Sequence, residues 1–287
     1  MTTQDLAEKS GSSAAIFRRL KVASWPAWAR RIYVLSFLPR KKLRDLPFEI
    51  SFGPYLFSGN AVNLIDYHML SRGAFEPGLA RLMQNWIKRQ PPSLFLDVGA
   101  NIGVHTLALA RHARQIIAVE PYAPVADRLQ KTIEKNHIEN VELARVALSD
   151  HPGTVSFLPP DSGNLGVGRV VTDALSSGLI EVTQLTGDAL LADKPLPLGL
   201  VKIDVEGFEL NVLRGLQSRM AKDRPLVVVE VLTGDEAHRQ RLTELFPENY
   251  SFLILESARR SRYQLLEWTK GHGDIVAIPR EKISGFL

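Results

Sequence analysis

The chain has 287 residues, 45% hydrophobic and 23% charged, with a formal net charge of +4. This length suits one large domain with an extension, and the lack of cysteine excludes disulfides, thiolate zinc sites and cysteine nucleophiles within it. Ten Lys/Arg stand against four acids in residues 1–50, leaving −2 on the remainder, so the basic balance is N-terminal and no general nucleic-acid surface is expected on the body.

No run approaches the roughly 18 apolar residues that a membrane span needs. The first residues lack the basic start and apolar block of a secretory signal, so the expected location is cytoplasmic. Residues 1–13 are polar and read as a disordered tail. From Ala14 to about Leu38, Ile16, Leu20, Val22, Trp25, Trp28, Ile32, Val34 and Leu35 are interspersed with arginines and interrupted near Pro26, a pattern predicting helices with an apolar stripe and a basic face. Residues 14–45 are therefore a candidate for peripheral membrane contact or for a homodimer interface. Phe48 to Phe57 with its Gly53-Pro54 turn predicts a hairpin, and 63–89 predicts helices. The expected division is a tail over 1–13, a basic, mainly helical extension over 14–90 and a catalytic domain over 91–287.

Strands and helices then alternate. Strands are predicted at 94–98, 115–120, 141–146, 200–205 and 226–232, with helices at 102–112, 123–137, 208–219 and 235–245. Leu148 to Phe157 contains Asp150-His-Pro-Gly153, read as a hairpin turn, and residues 159–185 suit a substrate-side loop. Final strands near 251–255 and 274–279 without a helix between them predict a closing hairpin. Such alternation with right-handed crossovers gives a parallel sheet covered on both faces.

The stretch Leu94-Phe-Leu-Asp-Val-Gly-Ala-Asn-Ile-Gly103, followed by Gln115-Ile-Ile-Ala-Val-Glu120, reads as strand, glycine turn, helix, strand and acid. This unit holds an adenosine-containing cofactor at the end of a parallel sheet, with the acid accepting from ribose hydroxyls. Asp97 precedes the first glycine, where it would repel a dinucleotide pyrophosphate but attract the ammonium and sulfonium of S-adenosylmethionine. Asn101 also stands where a dinucleotide fingerprint would place its middle glycine.

A second motif, Lys202-Ile-Asp-Val-Glu-Gly-Phe-Glu209, ends the fourth predicted strand. Lys202 and Asp204 share a face, Glu206 follows at the sheet edge, and such charges are costly there unless paired or used.

Asp97-Val-Gly-Ala-Asn-Ile-Gly103, Glu120-Pro121, Ala147-Leu-Ser-Asp150 and Lys202-Ile-Asp-Val-Glu-Gly-Phe-Glu209 together resemble the FkbM family of S-adenosylmethionine-dependent methyltransferases. The similarity covers roughly residues 70–235, with Gly73-Ala-Phe-Glu-Pro77 similar to that family's lead-in. The resemblance implies a class I methyltransferase fold: a Rossmann-like α/β, seven-stranded, mostly parallel sheet with helices on both faces, here with an N-terminal helical extension. It implies S-adenosylmethionine as cofactor, with Asp97, Gly99, Asn101 and Gly103 at its methionine end, Glu120 at the ribose and Ala147 at the adenine. It also implies O-methylation of a hydroxyl on a sugar, glycolipid, polyketide or related metabolite. His105 departs from the aromatic residue common at that position.

A hydroxyl is a weak nucleophile, so a base must take its proton; Asp204 and Glu206 are the catalytic candidates. Glu230 ends the strand expected beside Asp204. The two carboxylates could share a proton or hold Mg²⁺, for which the ligand set is incomplete, so no metal residue is assigned. The alternatives are an N- or protein methyltransferase with the same cofactor site and a non-catalytic cofactor-binding accessory subunit.

Overall fold

The computed structural model describes residues 24–37, 46–160, 168–171, 177–232, 235–257 and 263–284. The tail over 1–13, and all of 14–45 except 24–37, lie outside the described residues. The chain forms two compact units, one holding the residues up to Phe75 and the other most of the chain from Glu76 onward.

In the first unit, helix α1 (Ala27–Phe37) packs on α2 (Leu64–Arg72), and β1 (Pro47–Phe52) pairs with β2 (Tyr55–Asn60) across the expected Gly53-Pro54 turn. Asn63 caps α2 by accepting from the Ile65 amide at 3.2 Å. The fully buried Asp66 accepts from the Asn60 amide at 3.0 Å, so burying this carboxylate does not leave it unsatisfied.

The second unit opens with α3 (Pro77–Ile87), whose Pro77 sits in the first turn. Its Trp86 indole donates to the Gly199 carbonyl at 2.8 Å. The core follows as β3 (Leu94–Val98), α4 (Val104–Leu109), β4 (Gln115–Val119), α5 (Ala123–Lys135) and β5 (Val141–Ala144). A second sheet is built from β6 (Ala147–Ser149), β7 (Gly153–Leu158), β8 (Arg169–Val170) and β9 (Ile180–Thr186). The short α6 (Gly187–Leu190) leads to β10 (Leu198–Ile203), α7 (Glu209–Arg214), α8 (Gln217–Asp223), β11 (Leu226–Val231), α9 (Glu236–Thr243), β12 (Tyr250–Ser257), β13 (Tyr263–Glu267) and β14 (Gly273–Pro279).

The main sheet runs β13-β12-β14-β11-β10-β3-β4-β5. Strands β5, β4, β3, β10 and β11 are parallel, and β14 enters antiparallel between β11 and β12. This is the class I methyltransferase arrangement. Every residue of β3 and of β10 is buried, as expected for central strands covered on both faces.

The structure departs from the sequence-based expectation in four places. An eighth strand, β13, pairs antiparallel with β12 and extends the predicted seven-stranded sheet at its edge. Leu148 to Phe157 is no hairpin, because β9 lies between β6 and β7 and pairs with both. The unassigned stretch 159–185 supplies β8 and the start of β9. The helix predicted over 208–219 is broken at Gly215, where a Cβ would lie 2.0 Å from the Ser149 carbonyl oxygen, so only glycine lets this segment approach β6.

Candidate active site

Strand order reverses at β3, between its neighbours β4 and β10, and the crevice at the carboxyl ends of such strands is where open α/β sheets bind ligands. Two chain segments meet there. The Asp204 amide donates to the Val98 carbonyl at 3.1 Å, and a Cβ on Gly99 would lie 1.8 Å from the Asp204 carbonyl oxygen. Gly99 has φ +75°, and its amide donates to Val119 at 3.0 Å, closing the turn over β4.

Asn101 has φ +51°, and its amide donates to Glu120 at 3.0 Å; Gly103, at φ +83°, packs where a Cβ would meet Leu129 at 2.3 Å. Glu120 also accepts from the Tyr122 amide at 2.9 Å. A carboxylate has about four lone-pair positions, so Glu120 keeps acceptor capacity for further donors. Burial raises its carboxyl, the two amides oppose this, and the balance brings it up to about 7.

Asp97 is fully buried. Its Oδ2 accepts from the Thr106 hydroxyl at 2.6 Å, whereas its Oδ1 is buried and has no hydrogen-bond partner among the described residues. An orphaned carboxylate oxygen beside a glycine turn suits a cationic donor from a ligand. Together with the acceptor capacity of Glu120 and the tight turn at Gly99, it makes this crevice fit S-adenosylmethionine.

Beside Asp97 in register lies Lys202, 4% exposed, whose Nζ donates to Asp204 Oδ2 at 2.8 Å. Burial alone would push the Asp204 carboxyl up, but the Lys202 ammonium and a hydrogen bond from Glu230 outweigh it and hold Asp204 below the ordinary range. The same hydrogen bond, with burial and the charge of Asp204, pushes Glu230 well above that range; the two carboxyls share a proton, and the Lys202 ammonium favours Asp204 as the ionised member. Asp274, opposite Glu230 in register, is raised to about 6 by burial and by Glu76. His105 is buried, with Nε2 3.0 Å from Glu76 Oε2. Glu76 itself has φ 44° and ψ 55°, an uncommon conformation for a non-glycine residue.

An open cleft with about 410 Å³ of empty space is lined by Gly99, Glu120, Ala147 and Asp204. Asp97, Asn101, Gly103 and Glu206 stand outside its lining. Glu206, at φ +56°, is half-buried in the turn after β10, and its carboxyl is raised by burial and by Asp204 and Glu209. One cleft wall is apolar and includes Val146, Phe157 and Phe208. Phe157 stacks on Tyr122 with centroids 6.0 Å apart. Sequence reasoning did not single out Phe157, Arg169, Glu76 or Asp274 as site residues, although Arg169 lies in the 159–185 stretch expected on the substrate side and Glu76 in the Gly73–Pro77 lead-in. Among the described residues no three His, Cys, Asp or Glu side chains converge to hold a metal ion.

Residues 97–263, more than half of the chain, match the methyltransferase FkbM domain family. The fold and this match define a methyltransferase of the S-adenosylmethionine-dependent class. The chain belongs to the FkbM family. It is 32% identical over 139 residues to the hexuronic acid methyltransferase AglP of Haloferax volcanii, an alignment covering 48% of this chain and 55% of that protein. It is 29% identical over 175 residues to Methyltransferase 1 of Beauveria bassiana, covering 53% of this chain and 70% of that one. A crystal structure of a methyltransferase FkbM from Methylobacillus flagellatus superposes with a TM-score of 0.42 at 15% identity, covering 64% of this chain and 43% of that one.

Proposed function

We propose that this chain is an S-adenosylmethionine-dependent O-methyltransferase acting on a hydroxyl of a sugar, glycolipid, polyketide or related metabolite. The observation that carries this reading is the placement of Glu120 and of the ionised, Lys202-held Asp204 in one cleft. Similarity to a hexuronic acid methyltransferase supports a sugar as acceptor. The cofactor would supply an electrophilic methyl group. Asp97 would take its ammonium, Glu120 its ribose hydroxyls, and the wall with Ala147 and Phe157 its adenine, while Gly99, Asn101 and Gly103 shape the turn. Asp204 would take the acceptor proton, with Glu206 as the alternative base. Incubating the protein with methyl-labelled cofactor and a panel of sugars and glycolipids tests this directly; label appearing only on amines or protein would overturn it.

Glu120 makes cofactor binding depend on pH. Ribose hydroxyls donate to the ionised carboxylate, which the unliganded protein holds only above about pH 7. Affinity for S-adenosylhomocysteine is therefore expected to plateau above pH 7 and to fall about tenfold per unit below it, as titration calorimetry from pH 5.5 to 8.5 would read. Glu120→Ala is expected to weaken binding about ten- to a hundredfold and to abolish that pH dependence.

We also propose that residues 14–45 attach to an anionic membrane surface. Trp28, Ile32 and Leu35 are 70%, 61% and 52% exposed and follow at helical spacing along one side of α1, in the segment that concentrates the chain's positive charge. No described helix is long and apolar enough to cross a membrane, so the contact would be peripheral. Sedimentation with phosphatidylserine vesicles should show salt-sensitive binding that is lost when all three residues become serine. Concentration-dependent dimerisation without vesicle binding would instead make this face a self-association surface.

A further inference from the structure

Arg169 has no part in the chemistry above, yet it lines the same cleft. It lies on β8, opposite Leu158 of β7. The preceding Gly168 fixes its position: a Cβ there would lie 2.8 Å from Phe157 Cζ and 3.0 Å from Pro160 Cδ. That close approach seats the backbone of Arg169 against the apolar wall. The side chain is exposed, and among the described residues no hydrogen bond or ion pair engages its guanidinium.

Among the described residues that line the cleft, Arg169 is the one cation, and the acids are Glu120 and Asp204. The nearby Lys202 is buried and already held by Asp204. The other charged groups on this described lining are acids, so an anionic group entering the cleft finds its favourable partner at Arg169, whose charge also reaches the Glu206 carboxylate. A guanidinium presents paired donors in a plane, the arrangement that matches the two oxygens of a carboxylate.

We propose that Arg169 is a specificity-determining residue that binds a carboxylate on the acceptor, so that the preferred acceptor is an acidic sugar. This rests on the sugar reading above. The cofactor also carries a carboxylate, and a guanidinium would serve either, so the experiment must separate the two sources.

Wild-type protein and the variants R169Q and R169K are offered labelled cofactor with oligosaccharides ending in glucuronic acid or in glucose. S-adenosylhomocysteine affinity is titrated in parallel. Wild type is expected to favour the acidic acceptor at least about tenfold in kcat/KM. In R169Q that ratio should collapse about ten- to a hundredfold, R169K should recover part of it, and S-adenosylhomocysteine affinity should stay within about threefold. Equal use of both acceptors by the wild type, or transfer to the neutral one alone, would overturn this proposal and leave the sugar reading standing. A loss of S-adenosylhomocysteine affinity in R169Q matching the loss with the acidic acceptor would assign Arg169 to the cofactor carboxylate. Transfer to neither sugar would overturn both readings.

Discussion

Asp204→Asn is expected to lower single-turnover methyl transfer about 10²–10⁴-fold while changing S-adenosylhomocysteine affinity only a few-fold. The amide keeps the size of the side chain, and its oxygen still accepts from Lys202 Nζ, which stands 2.8 Å from Asp204 Oδ2. It cannot take a proton. Asp204 is the candidate base that lines the cleft, and Lys202 and Glu230 keep it ionised. A base held below the ordinary carboxylate range is lost only when pH falls through that depressed value. At saturating cofactor the transfer rate should therefore persist as pH drops below 7, where cofactor affinity is already falling. Glu230→Gln retains a donor to Asp204 and should cost far less than Asp204→Asn. An unchanged rate in Asp204→Asn with a large loss in Glu206→Gln would transfer the role of base to Glu206, whereas indifference of both would leave acceptor positioning as the source of catalysis.

The second large effect is expected at Gly99. Alanine there must adopt φ +75° and place its Cβ 1.8 Å from the Asp204 carbonyl oxygen and 2.9 Å from the carbonyl carbon. Neither segment can yield cheaply, because Gly99 donates to Val119 and the Asp204 amide donates to Val98. Left-handed strain costs about 1–2 kcal/mol and overpacking against backbone about 1–3 kcal/mol. Gly99→Ala should thus destabilise the protein by about 3 kcal/mol, read by urea unfolding, and reduce S-adenosylhomocysteine affinity more than about a hundredfold. Gly207→Ala is the control: it shares a positive φ of +104°, but its Cβ would meet nothing within 4 Å. It should show the backbone strain without the collision. Wild-type stability and binding in Gly99→Ala would mean that the crevice between β3 and β10 can open without loss.

Much of the crevice was legible because its signals are local. An apolar run, a glycine that must turn, a helix and a second apolar run ending in Glu120 sit within 27 residues, and each reports its own backbone state. Lys202 and Asp204 likewise announced themselves as charges ending a strand that is otherwise apolar. Their ion pair at 2.8 Å needed only the two-residue alternation. The class I sheet architecture came through resemblance to a family rather than through periodicity, which says nothing about which strand neighbours which.

What the amino-acid sequence determined by itself was therefore the cofactor-type turn, the acids at two strand ends and the alternation of elements. These depend on neighbouring residues and on the period of burial. The tertiary structure alone decided the rest. Strand β9 lies between β6 and β7, where Val182 is buried, although its pairing with β6 joins residues more than thirty positions apart. Glu76 meets His105, and Asp274 falls opposite Glu230, only after the sheet has assembled. Arg169 reaches the cleft because Gly168 lets β8 press against Phe157. None of these partners has a local signature, since what makes each meaningful is a shared low-dielectric space or a close contact that exists only once distant segments have packed.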